Sequence, residues 1–199
     1  MTIHSGTVEN FACADAVRCR VNVAIPRARA FESFRHDIFH WWPQDETWSG
    51  ESIEDIFFEG RKGGVLWERG PEGYRIDMAR VLRWMPPEWI VLRWHVGPNR
   101  TPEPNPARAS EVEIRFFDDG TGGTRIELEH RHFSRHGDGA EKYRARMGGE
   151  KGWPRILKNY AEHCGPKLDG VKLEGVDMLA PALASVTTLR PAPALAAQA

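Results

Sequence analysis

Apolar and polar residues alternate over residues 16–25, where Val17, Cys19, Val21 and Val23 oppose Arg18, Arg20 and Asn22. A period of two predicts a half-buried β-strand. The period then changes. After Pro26, the residues Phe31, Phe34, Ile38 and Trp41 or Trp42 fall at helical spacing, and proline suits a first helical turn. Pro43 ends that helix near Trp42. Strand patterns follow in series at 52–59, 65–68, 74–84, 88–96, 110–119 and 124–133, separated by glycine- or proline-bearing turns. The Pro-rich stretch 97–109 cannot join a sheet ladder and reads as a loop. In the last two strands Val112, Ile114 and Phe116 point inward, as do Ile126, Leu128 and His130.

Helical spacing returns at the end of this region. "DGAEKYRARM" is amphipathic, with Tyr143 and Met147 four apart. Gly148-Gly149 interrupts it, and residues 151–164 resume with an apolar stripe of Trp153, Ile156, Leu157, Tyr160 and Cys164. Residues 1–15 lack a period and read as an N-terminal arm. Residues 165–199, rich in Ala and Pro, read as a flexible tail, leaving one domain over 16–164. The order strand, helix, six strands, long helix predicts an α+β fold. In it a curved antiparallel sheet wraps around the C-terminal helix and leaves a cavity between them.

Composition narrows the function classes. The 199 residues carry 27 basic and 28 acidic side chains, a net charge of −1. That balance speaks against nucleic-acid or anionic-membrane binding, which needs a basic surplus. No apolar run approaches the roughly 20 residues of a membrane span, and the N-terminus has no secretory pattern. Three cysteines without C-x-x-C spacing fit a reducing cytoplasm better than a disulfide or zinc framework. Eight tryptophans against three tyrosines supply much indole, which is costly to leave in water.

Four stretches together resemble a known family: "FESFRHDIFHWWP" (31–43), "GRKGGVLWE" (60–68), "VLRWMPPEWIVLRW" (81–94) and residues 125–157. Within them stand Gly63-Gly64 before an aromatic strand, the turn Trp84 to Pro87, the strand end Leu128 to His130, and Gly152-Trp153 opening the last helix. This order is similar to the helix-grip, START-like (Bet v-like) superfamily, and within it to homologues of the C-terminal domain of the heat-shock-protein-90 ATPase activator. The resemblance implies a cavity for small apolar molecules and no single shared reaction. A counterpart of the large N-terminal domain of the eukaryotic activator is not expected here.

The candidate ligand-contacting residues are Trp41, Trp42, Trp67, Tyr74, Trp94, His130, Trp153 and Tyr160. Trp67, Trp94 and Trp153 are expected to face the interior, and Trp48 to be the least buried indole of "HWWPQDETWSG". His130 admits three readings: a structural histidine, a polar anchor for a ligand, or an acid–base group working with Tyr74 or Tyr160. His36 and His40, four apart, lack a third ligand and read as a solvated face rather than a metal site, and His132 and His136 read the same way. No nucleophile motif, phosphate loop, metal site or cofactor is expected. The leading expectation is binding of a small apolar or aromatic molecule. An enzyme of cyclase, dehydratase or hydrolase type on the same scaffold is the alternative, and a chaperone-associated stress-response protein is the third. A chaperone and a second copy in a homodimer complete the partner expectations.

Overall fold

A computed structural model of the chain describes residues 9–13 and 15–165. Its elements in chain order are β1 (Glu9–Cys13), β2 (Ala16–Val23), α1 (Arg27–His36), α2 (Ile38–Trp41), β3 (Asp55–Phe58), β4 (Val65–Arg69), β5 (Arg75–Met85), β6 (Trp89–Trp94), β7 (Ser110–Asp118), β8 (Thr124–Arg131), α3 (Ala140–Gly148) and α4 (Trp153–Cys164). The strands form one sheet in the order β1-β2-β8-β7-β6-β5-β4-β3, antiparallel throughout. This is the α+β helix-grip fold. Every neighbour from β3 to β8 is also a sequence neighbour. Only β2 pairs at long range, with β8, because α1 and α2 separate it from β3.

The alternation in the outer strands survives in three dimensions. Val17, Cys19, Val21 and Val23 on β2, with Ile126, Leu128 and His130 on β8, are all buried. Their outward neighbours pair across strands, as in Arg18–Glu129 at 2.9 Å and Arg20–Glu127 at 3.3 Å. The predicted stripe of α4 is buried residue for residue: Trp153, Ile156, Leu157, Tyr160 and Cys164. Each such side chain gains roughly 1.5–3 kcal/mol on leaving water, against the entropy of ordering it. Gly152 sets where α4 begins. A Cβ there would stand 2.2 Å from the Met147 carbonyl oxygen, so only glycine lets Trp153 head the helix so close to the end of α3.

Two expectations change. The N-terminal arm contains an edge strand, β1, paired with β2 from Glu9↔Arg20 to Cys13↔Ala16. Edge pairing needs only backbone N–H and C=O groups, so it leaves no side-chain period to read. The predicted helix over 27–42 is two helices, broken at Asp37, whose amide bonds the Ser33 carbonyl at 3.0 Å. The tail predicted over 165–199 lies, apart from Gly165, outside the described residues. No described helix is long and apolar enough to cross a membrane.

Candidate functional site

Four indoles meet between the helices and the sheet. Trp41 ends α2 and Trp42 follows it, Trp94 ends β6, and Trp153 opens α4. All four are at most 6 % exposed. Trp42 is the hub, its ring centroid 5.8 Å from Trp41, 6.1 Å from Trp94 and 6.0 Å from Trp153. Tyr160 and Phe34 pack on Trp41 at 5.1 and 4.8 Å. These edge-on and tilted contacts suit aromatic quadrupoles.

The polar atoms divide the cluster. Trp94 Nε1 donates to Tyr143 Oη at 2.9 Å, and that hydroxyl donates to the Val96 carbonyl at 2.9 Å. Trp153 Nε1 donates to His130 Nδ1 at 3.0 Å. An indole nitrogen can only donate, so Nδ1 accepts and the imidazole proton sits on Nε2. His130 Nε2 therefore donates to Ser110 Oγ, 2.8 Å away. This leaves the serine proton for Nε2 of His136 at 3.0 Å. Burial pushes the His130 imidazole well below its ordinary range, and His136 adds to the shift. His136 is itself held down mainly by burial. Both rings are neutral at pH 7. By contrast, the indole N–H groups of Trp41 and Trp42 have no hydrogen-bond partner among the described residues.

Both nitrogens of His130 are thus engaged by protein side chains, the arrangement that the structural-tie reading calls for. Tyr160 is not beside it: its hydroxyl donates to the Ala30 carbonyl at 2.7 Å. Burial raises the pKa of Tyr160 and of Tyr143, so neither hydroxyl ionises readily. His136, expected on a solvated face, is buried at 2 % exposure because Ser110 reaches it from β7. His36 pairs with Glu32 at 3.0 Å, and His40 stacks on His163. No group of three metal-binding side chains exists among the described residues.

Two predicted site residues lie elsewhere. Tyr74 is 61 % exposed, just after the turn that precedes β5. Trp67 is on the outer face, stacked on its cross-strand partner Phe57 at 4.2 Å, with the Arg75 guanidinium 4.3 Å above its ring. The reason is the pleat. Leu66 and Glu68 point inward, so Trp67 between them must point out. The fully buried Glu68 stays inside because it accepts three bonds, from the Trp48 and Ser49 amides at 2.9 Å each and from Ser49 Oγ at 2.8 Å.

Those bonds hold the loop after Trp42. Asp45 and Glu46 pair with Arg155 on α4 and Arg146 on α3, and Arg100 donates to the carbonyls of Asp45 and Thr47. Trp48 ends half-buried, its indole donating to the Arg100 carbonyl. Trp89 also has an unpartnered N–H, but it lies on the outer face between Arg83 and Arg115. Three depressions on the described surface, of about 250 to 470 Å³, have no indole in their linings. Ser110, Tyr143 and Glu68 were missed as site-forming residues. Ser110 and Glu68 were legible in phase with Val112 and Leu66, whereas nothing local pointed to the partners of Tyr143.

Solved structures with this fold include close enough relatives to compare. The anthrahydroquino-gamma-pyrone synthase Txn09, complexed with SUM, is 32% identical with a TM-score of 0.55; the match covers 74% of this chain and 96% of that one. CalC, a self-sacrificing resistance protein from Micromonospora echinospora, is 28% identical with a TM-score of 0.56, covering 77% and 97%. A protein from Nitrosomonas europaea, 16% identical with a TM-score of 0.55 over 77% and 96%, shares the fold alone. No curated protein matches the sequence. Residues 25–165 match the family described as activator of Hsp90 ATPase homolog 1-like protein. With most of its length inside that match, the chain belongs to this family.

Proposed function

We propose that the protein binds a small, flat, largely apolar molecule at the indole cluster beneath α4. The observation that carries this reading is the convergence of Trp41, Trp42, Trp94 and Trp153, brought from α2, β6 and α4, on one buried spot. A packed core needs apolar volume but not four large rings from separate elements, and such walls suit planar ligands. The relative solved complexed with SUM supports the reading by likeness. The rings now touch one another, so a ligand enters by displacing one of them. We assign that displacement to Trp42, because it follows a four-residue helix and its N–H has no hydrogen-bond partner among the described residues. Native mass spectrometry of freshly purified protein tests this. Mass increments from a co-purified small molecule, or from added naphthalene, are expected. A bare chain under both conditions removes the proposal.

An enzymatic reading is second, favoured by the likeness to that relative, a synthase. His130 is not its acid–base group, because Trp153 and Ser110 occupy both nitrogens. Turnover of any candidate substrate that is lost in a well-folded His130→Asn variant would reverse this assignment. The proposed setting is the cytoplasm, where Cys19 and Cys164 stay reduced; burial pushes the Cys19 thiol up to about 12, which keeps it inert.

A further inference from the structure

Trp41 and Trp42 are neighbours in sequence, buried at 2 % and 6 % exposure, and both indole N–H groups lack an acceptor among the described residues. The other two indoles of the same cluster are fully engaged, Trp94 with Tyr143 and Trp153 with His130. Unmade hydrogen bonds on buried donors are costly, and native proteins rarely leave two side by side. The described buried residues include no lysine or arginine, and the one buried carboxylate, Glu68, is committed to Trp48 and Ser49. A charged ligand would therefore enter with its charge unpaired, which a dry aromatic site disfavours. A neutral oxygen has no such cost.

We infer that the ligand of this cluster carries an uncharged carbonyl oxygen, of ketone or quinone type, which accepts from the indole N–H groups of Trp41 and Trp42. The inference rests on the reading that the cluster is the ligand site. Trp94 and Trp153 then act as the apolar wall, and the tandem pair as the polar recognition element. Flat hydrocarbons without oxygen bind more weakly, because they leave both donors buried and unmade.

The test compares 1-indanone with indane, two bicyclic molecules that differ by one carbonyl. The full-length chain, labelled with nitrogen-15, is titrated with each, and the indole N–H resonances are followed by NMR. Spectra of Trp41→Phe and Trp42→Phe assign the two signals. The expected result is that 1-indanone binds about tenfold more tightly than indane, as one or two buried hydrogen bonds allow. It moves the Trp41 or Trp42 indole proton downfield while the Trp94 and Trp153 signals stay hydrogen-bonded as before. In the doubly substituted Trp41→Phe/Trp42→Phe chain the preference falls to about one. Equal affinity for the two probes in the unsubstituted chain overturns the carbonyl inference and leaves the binding reading standing. Binding of neither probe overturns both.

Discussion

The two halves of the indole cluster are built from the same residue type and behave differently. Trp94 and Trp153 are anchored: each donates to a buried partner that is itself held, through Tyr143 to Val96 and through His130 to Ser110 and His136. Trp41 and Trp42 are buried as deeply and donate to nothing described. The anchored half joins β6, β7, β8, α3 and α4, while the unanchored half hangs on a four-residue helix. Burial alone thus says little about role; the hydrogen-bond account of each nitrogen separates a structural ring from one available to a ligand.

The strongest way to break this comparison is at His130. His130→Ala removes a fully buried ring, orphans the Trp153 N–H and leaves Ser110 with His136 alone, and should cost about 4 kcal/mol of stability. Urea denaturation measures it; a loss under about 1 kcal/mol would mean that the anchored half is not anchored. Next comes a matched pair. Trp153→Phe and Trp42→Phe lose similar ring area, but only the first strands an acceptor, His130 Nδ1. Trp153→Phe should be the more destabilising by about 2 kcal/mol, and equal losses would erase the distinction between the halves.

Acid gives a graded test. His130 and His136 are neutral in the fold, with pKa values held below their ordinary 6.5. Below pH 6.5 the unfolded chain takes up protons that the folded chain refuses, so stability falls as pH falls; above it the contribution is complete and level. The slope is about 1.4 kcal/mol per pH unit for each histidine, until its folded pKa is reached. Denaturation midpoints at pH 7.5, 6.5 and 5.5 should show the break, and a flat profile would count against neutral burial of the pair. The smallest effect is expected at the loop beside Trp42. Asp45 is 66 % exposed on its side chain, and its pairing with Arg155 lies in solvent. Asp45→Asn should change stability by no more than about 0.5 kcal/mol, and a larger loss in the same denaturation assay would show that the loop braces the half that holds Trp41 and Trp42.

Much of the fold was legible because local rules agreed. The β2 and β8 alternation and the α4 stripe each specify one buried face whatever lies opposite, and the family motifs supply their order. The burial of the candidate residues was legible in part. Trp94, His130, Trp153 and Tyr160 were expected inside, with at least one of Trp41 and Trp42, and all six are buried. Trp67 was expected to face the interior on its aromatic character alone, with no alternation in the short strand 65–68 to set its face. The pleat together with three donors from residues 48 and 49 puts Glu68 inside instead. Tyr74 was misassigned because its strand begins one residue later, leaving it at the turn.

The sequence by itself determined the succession of strands and helices, the inward face of most of them, and the supply of indole, since each follows from periodicity and residue chemistry within a few positions. Only the tertiary structure decided which nitrogens are satisfied. Trp153 finds His130, Trp94 finds Tyr143 and Ser110 finds two histidines across separations of 20 residues or more. Hydrogen bonds act over about 3 Å and depend on direction. No pattern along the chain encodes whether a given indole will meet an acceptor once the sheet has curled around α4.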